Sequence, residues 1–433
     1  MKKRLLKILS LGTLIFVMAS CTANREVSIT AGDVKDNFND GFTSRERNNE
    51  RSKVIANQLW HDYYDEELNG ALNYYPYKDD SEEISSVWHY TSIFSLYIKL
   101  VRNNPKDKLL RKRLNMIIEG LEYYHEERND GYRAYAVKRG FDKDSASSGY
   151  MADVYDDNMW IAREFLNAYE VLKDETLLEK CKETIRYCLS GWDSSINPDT
   201  NREWGGIYWG ADYISKHACS NGPIIATLVR LSKMFPQEEV NGRTYLKWAE
   251  DVYDFSVATF KMSNELYGDM IGTEKKNGQT LSHGSLDTTA YTYNTGTMIS
   301  GGAYLYEATQ EEKYLLQAKR SMEASLKIFG SDDLLEGYYQ FPIATTIWFN
   351  LTLYQGYYDL LLVDQSALEY LNVVQKSIDF AYNNYLYENT LPVNWIHGWQ
   401  YGFDKDETRD IMDVASSAET FALLAMKDEI VKR

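Results

Sequence analysis

"AYEVLKDETLLEKC", residues 168–181, decides the fold. Apolar residues recur at spacings of three and four on both sides of a short polar turn around Lys173-Asp174-Glu175. One amphipathic helix therefore stops and another begins with almost no chain between them. The same construction returns in "LYEATQEEKYLLQA" (305–318) and "YYDLLLVDQSALEYL" (357–371). Extending the periodicity outward predicts helices over 50–64, 84–102, 106–127, 157–172, 175–190, 217–234, 243–262, 293–308, 311–328, 342–362, 366–385 and 413–427. Between the hairpins lie longer stretches rich in glycine and aromatic residues, at 128–156, 191–216, 263–292 and 386–412. Alternating short and long connections are what six helical hairpins in a ring require, with tight turns at one end and long loops gathered around a cleft at the other. The predicted fold is all-α, an (α/α)6 barrel. The competing architecture is a solenoid of the tetratricopeptide type, whose fixed 34-residue repeat is not visible.

Composition agrees with a large helical fold. The chain has 433 residues, 44% apolar and 26% charged, which excludes a disordered chain and a multi-span membrane protein. Only 7 prolines interrupt it, as helices need, whereas 35 Tyr and 10 Trp are many. Such rings line the half-wet cores of large helical proteins and also stack on sugar faces. The formal net charge of −17 argues against nucleic acid and against an anionic membrane surface as partners.

The first residues read as an address. Lys2, Lys3 and Arg4 precede the apolar run "LLKILSLGTLIFVM", and "MAS" leads to Cys21. This resembles a bacterial lipoprotein signal over 1–20, with Cys21 as the lipidated first residue of the mature chain; an ordinary secretory signal is the alternative. Both place the protein outside the cytoplasm, and the first adds a lipid anchor to a bacterial membrane. Residues 21–48 then form a flexible tether, and the (α/α)6 domain occupies 49–433. Cys181 and Cys188 share a helix face about 10 Å apart along its axis, too far for a disulfide, so with Cys219 they read as buried small apolar residues.

"VYDDNMWIA" (154–162) sets Asp156 and Asp157 directly before the apolar face formed by Met159, Ala162, Leu166, Tyr169 and Leu172. A doubled aspartate there has two readings. Aspartate is a favoured helix cap, and a second acid suits the helix dipole. Alternatively, a long aromatic loop delivers both carboxylates to a cleft floor, where neighbouring residues reach the separation of about 5–5.5 Å that a retaining glycosidase needs. A helix N-terminus favours the ionised nucleophile, while the first charge keeps its neighbour protonated as an acid.

Other stretches supply candidate walls. "NREWGGIYWG" (201–210) offers Trp204, Tyr208 and Trp209 around Gly205-Gly206, either as sugar platforms or as a packed aromatic turn. "HACSNGPIIATLVRL" (217–231) reads as a helix start in which Ser220 or Asn221 caps, or Asn221 offers its amide to a sugar hydroxyl. "LDTTAYTYNTGTMISGG" (286–302) places Tyr291, Tyr293 and Asn294 before a helix whose glycines permit close packing. The six histidines are scattered without HExxH, no Cys pair has zinc spacing, and "NPDTNREWG" lacks the full calcium-loop pattern. No metal or other cofactor is expected.

With these residues in order, the chain resembles glycoside hydrolase family 76, the α-1,6-mannanases, from about residue 50 to near the C-terminus. The likeness rests on Asp-Asp before "NMWIA", on "WGGIYW", on "SNGP" opening a helix, and on "YTYNTG" followed by a helix with "LYEAT". It implies an (α/α)6 barrel and retaining, endo-acting hydrolysis of α-1,6-linked mannan without metal, with Asp156 as nucleophile and Asp157 as acid/base. It further implies that Trp204, Tyr208, Trp209, Asn221, Asp287, Tyr293 and Asn294 border the cleft. The expected partner is α-mannan or a manno-oligosaccharide, bound by a monomer that touches the membrane only through its anchor. Competing functions are a non-catalytic glycan-binding lipoprotein and another (α/α)6 hydrolase or transglycosylase.

Overall fold

The computed structural model describes residues 42–76, 84–127, 131–139, 154–272, 275–276, 279–280, 283–399 and 408–431. The leader and Cys21 lie outside these residues, as do parts of the 128–156 and 263–287 loops. Twelve helices follow one another among the described residues: α1 (Ser44–Tyr63), α2 (Val87–Asn103), α3 (Lys108–Leu121), α4 (Tyr155–Leu172), α5 (Glu175–Ser190), α6 (Gly222–Met234), α7 (Tyr245–Phe260), α8 (Thr292–Thr309), α9 (Glu312–Phe329), α10 (Trp348–Leu361), α11 (Ala367–Tyr385) and α12 (Ile411–Val431).

The even-numbered helices form a closed inner ring, each packing on the next and α12 returning to α2. Their residues are buried on nearly every side, as the run Thr292–Ala303 of α8 illustrates. The odd-numbered helices cover the outside and show the one-sided burial of α3 and α9. This is the predicted (α/α)6 barrel.

Two tight turns show why the hairpins close. Lys173 ends α4 in the left-handed region (φ 59°), after which the Asp174 side chain caps α5 by accepting from Thr176 N. Gln310 does the same after α8 (φ 60°). Inner helices approach closely where side chains vanish: a Cβ on Gly296 of α8 would stand 2.6 Å from the Thr352 carbonyl oxygen of α10. The small residues of "YNTGTMISGG" therefore serve packing.

Several boundaries differ from expectation. Helix α1 starts inside the expected tether because Thr43 and Glu46 form a capping box. Helix α3 stops at Leu121, and His125–Glu127 leaves it to pair with Arg133–Tyr135. Helix α6 starts at Gly222 rather than 217, since Lys216–His217 is a short strand paired with Met270–Ile271. Helix α10 begins at Trp348, six residues beyond the expected start at Pro342. Cys181, Cys188 and Cys219 are free and buried, as expected.

Because each short turn follows an inner helix and each long connection precedes one, all six inner N-termini gather at the loop-rich end. Asp156 and Asp157 sit there, in the first turn of α4.

Candidate active site

The start of α4 is pinned without help from either acid. Its N-cap is Val154, and the Tyr155 N–H donates to the Trp209 carbonyl at 3.0 Å. Asn158, fully buried, donates to the Val154 and Tyr135 carbonyls at 2.8 and 3.1 Å and accepts from Tyr135 N at 2.8 Å. Of the two readings of the doubled aspartate, the helix cap is thereby corrected, since no side chain caps α4. Both aspartates are half-buried.

Their environments differ. Asp156 Oδ1 accepts from the Trp160 indole at 3.1 Å, Oδ2 faces the Trp209 indole at 3.4 Å, and the Cys219 thiol bonds to the same carboxyl. Burial raises this carboxyl to about 6, and those three donors hold it from going higher. Asp157 has no protein donor among the described residues. Burial first and the Asp156 charge second lift it to about 8. One acid is thus kept closer to its ionised form and the other protonated near neutrality, which is the division of labour of a nucleophile and an acid/base.

Trp209 is aimed at Asp156 by its surroundings. Its main-chain N–H donates to Ser215 O at 3.0 Å, and its ring stacks on His217 at 5.0 Å and 14°. Burial lowers His217 to about 4, so it is a neutral platform. Beneath this loop Lys216, fully buried, pairs with Asp193 at 2.6 Å and donates to Gly205 O at 2.7 Å. Gly206 (φ 81°) brings the loop against Phe255 so closely that a Cβ would meet that ring at 2.2 Å. Trp204 stacks on His283 at 3.7 Å and 9°, and Tyr208 and Trp209 remain half-buried.

On the α8 side Tyr293 bonds with Cys219, and its ring lies 4.2 Å from Phe349. Asn294 is fully buried; its amide donates to Asp269 at 3.4 Å, and its Oδ1 has no partner among the described residues. Asp287 accepts from Thr289 N at 2.9 Å, which holds its carboxyl below the usual range, and its main chain pairs with Asp269 and Met270.

Asn221 is a correction. Its Oδ1 accepts from Ile207 N at 2.8 Å, its amide donates to Ile207 O and His217 O at 3.0 and 2.8 Å, and it is fully buried. Its bonding capacity is spent on clamping the aromatic loop to the start of α6, so it does not present its amide to a sugar. Asp269 and Cys219 were not anticipated as site residues. Asp269 faces Asp156 and raises it further, while its own carboxyl is raised by burial. The available signal was an acid bracketed by glycines in "YGDMIG", where a Cβ on Gly268 would meet Asp287 O at 2.6 Å. Deeper along the barrel axis lies a separate cavity of about 640 Å³ lined by Lys99, Arg163, Arg230, Tyr304 and Asp359.

Residues 47–430 match Glycosyl hydrolase family 76. The chain belongs to glycosyl hydrolase family 76. Among curated proteins it is similar to the mannan endo-1,6-alpha-mannosidase DCW1 of Saccharomyces cerevisiae, 28% identical over 141 residues, covering 32% of this chain and 29% of that protein. The Candida glabrata protein of the same name is 28% identical over 153 residues, covering 35% and 32%. The matched stretch thus spans about a third of these relatives' length. Among solved structures, a family 76 mannosidase from Bacteroides thetaiotaomicron superposes with a TM-score of 0.73 at 22% identity, covering 88% of this chain and 99% of that one. An α-1,6-mannanase of Salegentibacter sp. HEL1_6 was solved as an inactive variant with two consecutive aspartates replaced by asparagine, in complex with α-1,6-mannotriose. It superposes with a TM-score of 0.66 at 19% identity, covering 88% and 99%. These structures share the barrel fold.

Proposed function

We propose that this family 76 member is a retaining endo-α-1,6-mannanase. The observation that carries the reading is the adjacent acid pair whose environments separate the two protonation states. Asp156, as the carboxylate, attacks the anomeric carbon of a mannosyl unit while protonated Asp157 gives its proton to the departing glycosidic oxygen. The bond to that oxygen breaks as the ester to Asp156 forms. Asp157, now ionised, takes a proton from water, which attacks the same carbon and returns Asp156 to its carboxylate with the starting configuration retained. The Trp160, Trp209 and Cys219 donors support Asp156 whenever it carries charge. The choice of α-1,6-linked mannan follows the activities printed for the fungal relatives and the sugar bound by the Salegentibacter protein. Trp204, Tyr208 and Tyr293 supply the rings for its sugar faces.

Digestion of linear α-1,6-mannan with product sizing tests this. The wild type releases oligosaccharides of several lengths, and Asp156→Asn and Asp157→Asn release almost none; full activity in both variants, or release of single mannose units only, sinks the reading. Lipid anchoring at Cys21 is part of the same proposal, supported by the basic and apolar leader. Cys21→Ala should move the protein from the membrane fraction to the soluble one.

A further inference from the structure

Trp160 lies between the acid pair and a buried ionic network deeper in the barrel. Its indole donates to Asp156, its ring is 3% exposed, and Trp348 packs edge-on at 4.8 Å. One turn along α4, the Arg163 guanidinium sits over the Trp160 ring, 4.5 Å from its centroid. Arg163 is itself held, because Nε and Nη2 both reach Glu164 Oε1 at 2.7 Å. The second oxygen of fully buried Glu164 accepts from Asn167 at 2.8 Å, and Asn167 in turn accepts from Arg230 at 2.8 Å. Arg163 cannot leave the ring without abandoning a buried carboxylate.

A cation over an indole face draws density from the ring, and the N–H at the ring edge becomes the stronger donor. We propose that Arg163 is a positioning residue for catalysis, which orients the Trp160 indole and polarises its N–H toward Asp156 so that the nucleophile stays a carboxylate. The proposal rests on the assignment of Asp156 as nucleophile. Arg163 acts only through the ring.

The other groups around these two sites are fixed. Asp156 also faces Asp157 on its own helix, Cys188 on α5, Cys219 and Trp209 on the aromatic loop side, Asp269, and Tyr293 at the start of α8. Arg163 faces Glu164 and, across the barrel, Asp359 on α10, while Lys99 of α2 faces Glu164. Changes confined to 160, 163 and 164 leave every acid next to Asp156 in place.

The test is the pH dependence of kcat/KM on α-1,6-mannotetraose for the wild type, Trp160→Phe, the paired variant Arg163→Gln/Glu164→Gln, and all three changes together. The paired change removes the ion pair without stranding a buried charge, and Arg163→Met/Glu164→Met serves if the amide pair does not fold. The acid limb is expected to move to higher pH by roughly half a unit in the paired variant and by at least as much in Trp160→Phe. The triple variant moves no further than Trp160→Phe, and Arg163→Lys, which keeps a cation over the ring, leaves the acid limb close to that of the wild type. Shifts that add, or a paired variant slower at every pH with its acid limb unmoved, overturn the proposal. A wild type that releases no sugar at any pH instead removes the nucleophile assignment beneath it.

Discussion

Replacing Asp156 with Asn removes the charge that faces Asp157 while leaving its burial unchanged, so the two causes of its raised pKa separate. An isolated aspartate titrates near about 3.9. Burial and the neighbouring charge together lift Asp157 to about 8, and burial is the larger of the two. The neighbour therefore accounts for less than half of that rise. Asp156→Asn should lower the Asp157 titration by fewer than about 2 pH units and leave it well above the ordinary carboxyl range. The same change deletes the nucleophile, and release of mannose oligosaccharides should fall about 10⁴-fold or more. The assay is carboxyl ¹³C NMR of aspartate-labelled protein, with the Asp157 signal identified by its loss in the Asp156→Asn/Asp157→Asn variant. An Asp157 that returns to the ordinary range shows that charge outweighs burial, and one that does not move shows that the acids do not interact. Either result refutes the electrostatic account, and retained activity refutes the nucleophile.

In the wild type kcat/KM should be bell-shaped, rising near pH 6 as Asp156 ionises and falling near pH 8 as Asp157 loses its proton; a rate already flat from pH 4 to 6 contradicts this. Asp157 also costs stability, since its folded pKa lies above its unfolded value. The fold carries no penalty below about pH 4 and a growing one as pH rises toward 8, so Asp157→Asn should match the wild type in urea at pH 4 and exceed it by roughly 2–4 kcal/mol at pH 8. Asn221→Ala strands backbone groups of Ile207 and His217 and should destabilise by about 2–4 kcal/mol with KM unchanged below the melting range. A raised KM with unaltered melting would return Asn221 to the cleft.

Much of the barrel was legible because its helices must bury apolar residues at a period of 3.6, whether on one face or all round. What failed was decided by partners distant in sequence. Nothing near Ala218 reveals that its N–H will bond the Asp269 carbonyl at 2.7 Å and delay α6 to Gly222. The early start of α1 was legible, since Thr43 and Glu46 have the spacing of a capping box. In the site, the doubled aspartate stood out locally and its position at the loop end followed from hairpin order. Asn221 misled because an amide beside a helix start serves a sugar or a backbone equally well until the loop above it is placed. Cys219 read as inert because its bond to Asp156 exists only once α4 and the α6 connection meet.

The central claim is that Asp156 and Asp157 together cleave α-1,6-mannosidic bonds with retention. Linear α-1,6-mannotetraose incubated with the wild type and followed by ¹H NMR of the anomeric protons tests it most directly. The account predicts that the α-anomer of the product appears first and mutarotates only later. A β-anomer appearing first, or no new reducing end at all, would contradict it.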